Sequence, residues 1–184
     1  MTMYFKFFKN AFASNFEYKF DAIFRGLVQV IEIVVQISVW TALYYFNNNS
    51  GISKDNIDLK VMIYYVIISA GISILVNNNV INIIDKKIRT GEISSDLIKP
   101  INFQAYMFSI ATADNIYNFI FRFIPVLLIF IPFYGIYIPS IKTAIIFLIS
   151  LINGVLISFL LAYILGLVGF WYLSIWHLER IYMR

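Results

Sequence analysis

Six polar side chains within long apolar runs are the residues of this chain that are most able to do chemistry. They form two sets whose members recur at steps of three or four residues, so each set shares one face of a helix. The first set is Gln29, Glu32 and Gln36, and the second is Ser69, Ser73 and Asn77. Polar groups at this depth usually face a bundle interior, a partner helix or a water-filled cavity. The pattern is consistent with a translocation pathway or subunit interface, and also with interhelical hydrogen bonding that has no transport role.

The side chains needed for an enzyme are missing. No phosphate-cradling G-x-x-x-x-G-K-[ST] motif is present, so the chain has no ATP site of the P-loop type. There is no cysteine, and His177 is the single histidine. Glu32 and Asp114 are isolated acids, whereas an intramembrane enzyme needs at least two convergent catalytic groups. We predict that this chain has no catalytic residue, no metal site and no cofactor of its own.

The composition indicates which solvent surrounds the chain. Of 184 residues 61% are hydrophobic and 13% are charged, whereas a soluble domain is about half apolar and about a quarter charged. A core of this size cannot hide so much apolar surface from water. The net charge of +4 comes from positive residues that flank the apolar runs, which is typical of contact with anionic lipid and argues against nucleic acid. We predict an all-α integral membrane protein with a single transmembrane domain over residues 1–184.

The apolar runs place four spanning helices along the chain. They are predicted over residues 26–46, 61–84, 116–137 and 141–168. Residues 169–184 follow as a cytoplasmic-side segment in which a fifth span could begin. Phenylalanines recur at steps of three and four before the first span, opposite charged residues. This pattern favours an amphipathic interfacial helix over residues 1–25, lying in the headgroup plane.

Lysine and arginine positions set the predicted orientation. Ten of them lie in the N-terminal segment, in the loop 85–103 and at the C-terminus, and three lie on the other side. The positive-inside rule makes the first side cytoplasmic. Arg122 falls inside the third span near its predicted cytoplasmic end, where its long side chain could extend towards the headgroups.

Small residues recur at every fourth position of the fourth span. Such a ridge lets two helices approach closely, so it predicts a packing seam within the subunit or between subunits. The ridge consists of Ser150, Gly154, Ser158, Ala162 and Gly166.

The most charged stretch is "DKKIRTGEISSDLIKPINF", residues 85–103. Gly91 is suited to end the helix of the second span, because glycine accepts the left-handed conformation of a C-terminal cap. Ser94 or Ser95 can cap a new short helix, and Pro100 disfavours helical geometry at Lys99, so this helix should end there. Physical chemistry alone predicts a compact knob at the membrane surface or, more simply, a solvated connector between two spans.

This stretch resembles the cytoplasmic loop of type-2 ABC transporter permeases. In that family the second span leads into a segment of the form I-R-x-G-x-[IL], two or three residues, and L-[LI]-x-P. The interfacial helix and the aromatic "GFWYLSIWHL" after the fourth span are similar to the branch of antibiotic, viologen and peptide exporters. The loop residues that carry the resemblance are Ile88, Arg89, Gly91, Glu92, Ile93, Leu97, Ile98, Lys99 and Pro100.

The resemblance implies an export permease of the bacterial plasma membrane. Its expected partners are a second permease subunit, identical or not, and two copies of a P-loop ATPase that carries ATP and Mg²⁺. The loop would contain the coupling helix that docks on the ATPase. Family members usually have six spans, so we expect either a truncated chain or a pathway completed by another subunit. The rival hypothesis is a small membrane protein without ATP, either a peptide immunity or resistance protein or a proton-coupled carrier that uses Glu32.

Overall fold

The chain is an all-α membrane protein. The computed structural model describes residues 2–49, 58–135 and 138–172. Within these ranges the elements are helical, and four helices are long and apolar enough to cross a membrane, as predicted. They are Phe20–Phe46, Leu59–Thr90, Phe103–Tyr134 and Ile141–Phe170. The predicted segment 169–184 lies outside the described residues from position 173 onward.

The N-terminal segment is two helices, whereas the sequence predicted one over residues 1–25. Helix α1 (Thr2–Asn15) ends in a 3₁₀ turn (Phe16–Tyr18), and α2 (Lys19–Asn49) already begins the first span. The reason is tertiary packing. The rings of Phe12 and Phe16 meet Tyr117 edge to face, with centroids 5.7 and 5.4 Å apart. Part of the phenylalanine stripe therefore packs on the third span rather than facing lipid.

The second span is broken in its middle, although the sequence predicted a continuous helix. Helix α3 (Leu59–Val76) stops at Asn77, whose backbone is extended, and α4 (Val80–Thr90) begins three residues later. The Asn78 side chain donates hydrogen bonds to the Val76 carbonyl at 3.4 Å and to Ser158 Oγ at 3.1 Å. Asparagine side chains compete with helical hydrogen bonds in this way, so the asparagine run ends the helix.

The third span begins earlier than predicted. Helix α6 (Phe103–Asn118) passes into a five-residue π segment (Phe119–Phe123) and then into α7 (Ile124–Tyr134). Residues 103–115, which precede the predicted span, are therefore part of the same helical run. Pro125 is the second residue after the π segment, and the wider turn accommodates a residue that has no backbone N–H to donate.

The fourth span is α8 (Ile141–Leu167), followed by a 3₁₀ turn (Val168–Phe170). Its small-residue ridge divides into two halves. Ser158, Ala162 and Gly166 are buried, and a Cβ at Gly166 would lie 3.0 Å from Ile84 of α4. By contrast, nothing lies within 4 Å of a Cβ placed at Gly154, and Ser150 is exposed. Within the described residues, therefore, only the C-terminal half of the ridge is packed against another helix.

Two hydrophobic cores lie on either side of the asparagine break. The first core packs α2 and α3 against α7 and the π segment, and it includes Ile33, Val66, Ile67 and Val126. The second core packs α4, α5 (Glu92–Ile98) and α6 against α8, and it includes Ile81, Ile84, Met107 and Phe159. The two clusters share no buried residue. The fold thus positions one polar region beside the break and one charged region at the end of the second core.

Candidate functional site

All six polar residues predicted from the sequence line one cavity. The cavity measures about 840 Å³ and lies among α2, α3, α6 and the π segment. Its predicted lining residues are Gln29, Glu32, Gln36, Ser69, Ser73 and Asn77. Helix α2 supplies the first three, α3 supplies Ser69 and Ser73, and Asn77 lies in the break after α3. Both sets therefore face one space, as their spacing predicted, and a role in transport stays a prediction.

These six residues differ in what they offer to a ligand. Ser69 Oγ donates to the Val66 carbonyl at 2.9 Å, and Ser73 Oγ donates to the Ser69 carbonyl at the same distance. Their hydroxyl protons are used within α3. Gln29 is buried, whereas Glu32 and Gln36 are exposed to the cavity. Glu32 and Gln36 are therefore more available to a ligand than the two serines.

Arg122 is a cavity residue whose position the sequence misjudged. It was predicted to extend towards the headgroups, but its Nη2 donates to Gln29 Oε1 at 2.7 Å inside the bundle. The π segment places it there. Its Nε is buried and has no hydrogen-bond partner within the described parts of the chain. Glu32 lines the same cavity, yet the two side chains form no ion pair among the described contacts.

A second set of polar residues in the cavity belongs to the third span and to α1. Asn15 Nδ2 donates to Asp114 Oδ1 at 2.7 Å, and Asn115 Nδ2 donates to the Leu75 carbonyl at 2.7 Å, close to the break after α3. Sequence reasoning missed these residues because it began the third span at residue 116. Asp114 and Asn118, one helical turn apart, were the available signal.

Among the described residues, no group of three or more His, Cys, Asp or Glu side chains is placed to hold a metal ion. The cavity offers amide, hydroxyl, carboxylate and guanidinium groups around one space. Its size lies within the range of small-molecule sites, about 300–1,000 Å³. Such an arrangement can bind a polar or charged ligand within the membrane.

The charged stretch forms a compact unit that we call the knob, residues 85–99. Gly91 ends α4 with φ of +76°, as predicted, and α5 (Glu92–Ile98) follows immediately. Ser94 and Ser95 therefore lie inside α5, and the prediction that one of them caps it was wrong. Gly91 is both the C-terminal cap of α4 and the N-terminal cap of α5. Lys99 is extended and ends α5 before Pro100, as predicted.

Ion pairs hold the knob together. Asp96 is 6% exposed and accepts from Lys87 Nζ at 2.5 Å and from Lys99 Nζ at 2.6 Å. Burial disfavours the charged form of Asp96, but the two lysines outweigh this and hold its pKa below the usual 3.8. The same hydrogen bond raises the pKa of Lys99 above its usual 10.5. Arg89 pairs with Asp85 one turn earlier.

The knob is fixed to the bundle on one face and exposed on the other. Ile93 is buried in the second core, whereas Leu97 and Ile98 are 56% and 84% exposed. The backbone N–H of Asn102 donates to the Tyr4 hydroxyl at 3.1 Å, which ties α1 to the chain just after the knob. The arrangement presents two apolar side chains at the tip of a short, anchored helix.

The family comparison agrees with this architecture. A family model described as "ABC-2 family transporter protein" matches residues 30–184. The match covers most of α2 and everything after it, including the knob and five of the six predicted cavity residues. No curated protein and no solved structure matches the chain.

Proposed function

The chain belongs to the ABC-2 transporter family, and from this premise we propose that it is the membrane permease subunit of an exporter driven by a separate ATPase. As a multi-pass membrane component of a transporter, it needs a source of energy. Members of this family normally work with an ATPase subunit, so ATP and Mg²⁺ would be bound by that partner.

The observation that carries the proposal is the exposed tip of the knob. Leu97 and Ile98 project from a helix whose other face is fixed by Ile93 and Asp96. A rigid helix with an apolar tip suits a groove on a partner protein, because little conformational entropy is lost when it docks. A force applied to α5 would reach α4 directly through Gly91, and from there the second core. We propose this as the route by which the ATPase acts on the spans.

The cavity would supply part of the translocation pathway. Glu32, Gln36, Ser73 and Asn77 are exposed within the spans, and exposure of such groups to lipid is costly. We propose that a second permease subunit covers this side, so that cargo moves between the two subunits. In this arrangement the N-terminus and the knob face the cytoplasm of a bacterial cell, as the distribution of lysine and arginine predicts.

Co-purification tests the docking role. The variant Leu97→Asp/Ile98→Asp should lose the ATPase while it still inserts in the membrane, because both changes lie on exposed positions. Ile138 and Ile141 are 83% and 82% exposed at the other end of the bundle, so Ile138→Asp/Ile141→Asp is the matched control and should retain the ATPase. A wild-type chain that purifies without any P-loop ATPase would favour the rival, a membrane protein that works without ATP.

The orientation has its own test, which uses the lack of cysteine in the sequence. Ser95→Cys in the knob and Ile138→Cys each introduce a single exposed thiol. A membrane-impermeant maleimide added to intact cells should label the second and spare the first, and inverted vesicles should reverse this. Labelling of Ser95→Cys in intact cells would contradict the proposed topology.

A further inference from the structure

Two opposite charges face the cavity without pairing. Glu32 lies near the middle of the first span and is exposed to the cavity, and Arg122 faces the cavity from the π segment. They form no ion pair among the described contacts. Arg122 is held by its hydrogen bond to Gln29. Glu32 lies three residues beyond Gln29, which is almost one helical turn along α2.

This separation is informative because charges attract strongly in a membrane. At low dielectric an opposite pair gains far more from contact than it does in water, so two such groups tend to pair within membrane proteins. Here the guanidinium has a glutamine as its partner, and one of its buried donors, Nε, has no acceptor among the described residues. A buried donor that lacks an acceptor is costly. Of the other charges that line the cavity, Asp21 pairs with Arg25 at 2.8 Å and Asp114 accepts from Asn15 at 2.7 Å. Arg122 is therefore an unfilled anion position, and Glu32, which has no partner among the described contacts, is an unfilled cation position.

We propose that the cavity binds a zwitterionic group, with its ammonium at Glu32 and its phosphate or carboxylate at Arg122. A ligand with both charges satisfies both side chains at once, whereas an anion or a cation alone leaves one of them unpaired and is repelled by the other. Gln29, which holds Arg122, lies about one helical turn from Glu32 along α2, so a small ligand that carries both charges suits this part of the cavity. Gln36 and Asn77, exposed nearby in the same cavity, provide amide groups for the remaining polar atoms.

Two sources carry this chemistry. One is the headgroup of a lipid such as phosphatidylethanolamine, which would enter from the bilayer, and the other is a water-soluble zwitterion. The inference gives a ligand class to the cavity that we propose as part of the pathway. Binding to the cavity does not require the ATPase, so the two proposals fail separately: loss of ATPase docking leaves the ligand class standing, and loss of binding leaves the docking role standing.

Binding by the purified full-length chain tests the inference. For the lipid source, nanodiscs would contain equal amounts of phosphatidylethanolamine and phosphatidylglycerol, and native mass spectrometry would measure the lipids retained. For the soluble source, calorimetry in detergent would use phosphoethanolamine, with ethanolamine and inorganic phosphate as single-charge probes. We expect either the zwitterionic lipid or phosphoethanolamine to bind at least about tenfold more tightly than the probes that lack one charge, since each charge-assisted contact has a large effect on affinity.

Variants sharpen the test. Glu32→Gln and Arg122→Gln should each weaken binding of the zwitterion by roughly tenfold, and Arg122→Lys should retain part of it. Glu17→Gln and Lys142→Gln remove exposed charges that lie outside the cavity and should have no effect. If Arg122→Gln fails to fold, Glu32→Gln and the comparison of probes still show whether the cavity binds a zwitterion. Equal retention of the two lipids together with no binding of phosphoethanolamine would overturn the inference, and so would unchanged binding by Glu32→Gln.

Discussion

The knob and the cavity both carry charge in an apolar chain, but they arrange it in opposite ways. In the knob Asp96 is paired with Lys87 and Lys99, at 2.5 and 2.6 Å. In the cavity Glu32 and Arg122 face the same space without an ion pair among the described contacts. Charges that pair within the chain fix its shape, whereas charges left apart remain available to a molecule from outside. This difference supports our proposals that the knob binds a protein and that the cavity binds a ligand.

The largest effect is expected from Asp96→Ala, because it removes the pairing that defines the knob. The change leaves Lys87 largely buried without a counter-charge. Breaking a buried ion pair in this way costs about 3–5 kcal/mol, and Lys87 keeps some access to water, so we expect a loss of about 3 kcal/mol in the free energy of unfolding. Denaturant titration of the purified protein measures it, with the exposed Glu17→Ala as control. A loss no larger than that of the control would show that the pairing does not stabilise the knob.

Gly71→Ala should damage the cavity and spare the knob. A Cβ at Gly71 would lie 2.4 Å from the ring of Phe123, next to Arg122 in the π segment. Overpacking of this kind costs about 1–3 kcal/mol, and movement of the π segment should also displace Arg122 and weaken ligand binding. The thermal midpoint and the ATPase retained on purification are the measurements. Gly26→Ala, with nothing within 4 Å of its Cβ, is the control and should leave the midpoint unchanged or higher.

Gly91→Ala makes the complementary change, which affects the knob and spares the cavity. Gly91 has φ of +76°, and the space around it is open, so the cost is one of backbone conformation and amounts to about 1 kcal/mol. ATPase association should weaken while ligand binding stays normal. Gly91→Asn should be milder, because asparagine tolerates the left-handed region better than alanine does. Equal behaviour of the two variants would argue against a role for this conformation.

The smallest predicted effect is a pH dependence that belongs to the knob. The pKa of Asp96 is lowered below 3.8 in the folded protein, so its contribution to stability is complete above about pH 4 and is lost as the pH falls through the folded value. The pKa of Lys99 is raised above 10.5, so its contribution is complete below that value and is lost as the pH rises through the folded one. Thermal midpoints across this range should be less sensitive to acid in Asp96→Asn than in the wild type.

The sequence predicted the parts of this fold that depend on local pattern. Hydropathy predicted the four spans. The spacing of Gln29, Glu32 and Gln36 predicted that these residues share one face of α2, and Gly91 predicted the end of α4. Tertiary contacts decided the rest. The hydrogen bonds of Asn78 to Ser158 and to the backbone break the second span, and packing on Tyr117 ends α1. The sequence analysis did not predict the π segment that places Arg122 beside the cavity, although Pro125, two residues after that segment, is a local signal for it.

A single thiol tests most directly whether the tip of the knob contacts an ATPase, as we propose. Ile98→Cys places the one cysteine of the chain on a side chain that is 84% exposed. A short thiol-reactive photo-crosslinker on this residue, activated in native membranes, should join the chain to a P-loop ATPase identified by mass spectrometry. The same reagent on Ile138→Cys should not. Failure of Ile98→Cys to capture an ATPase in membranes that actively export would contradict the account.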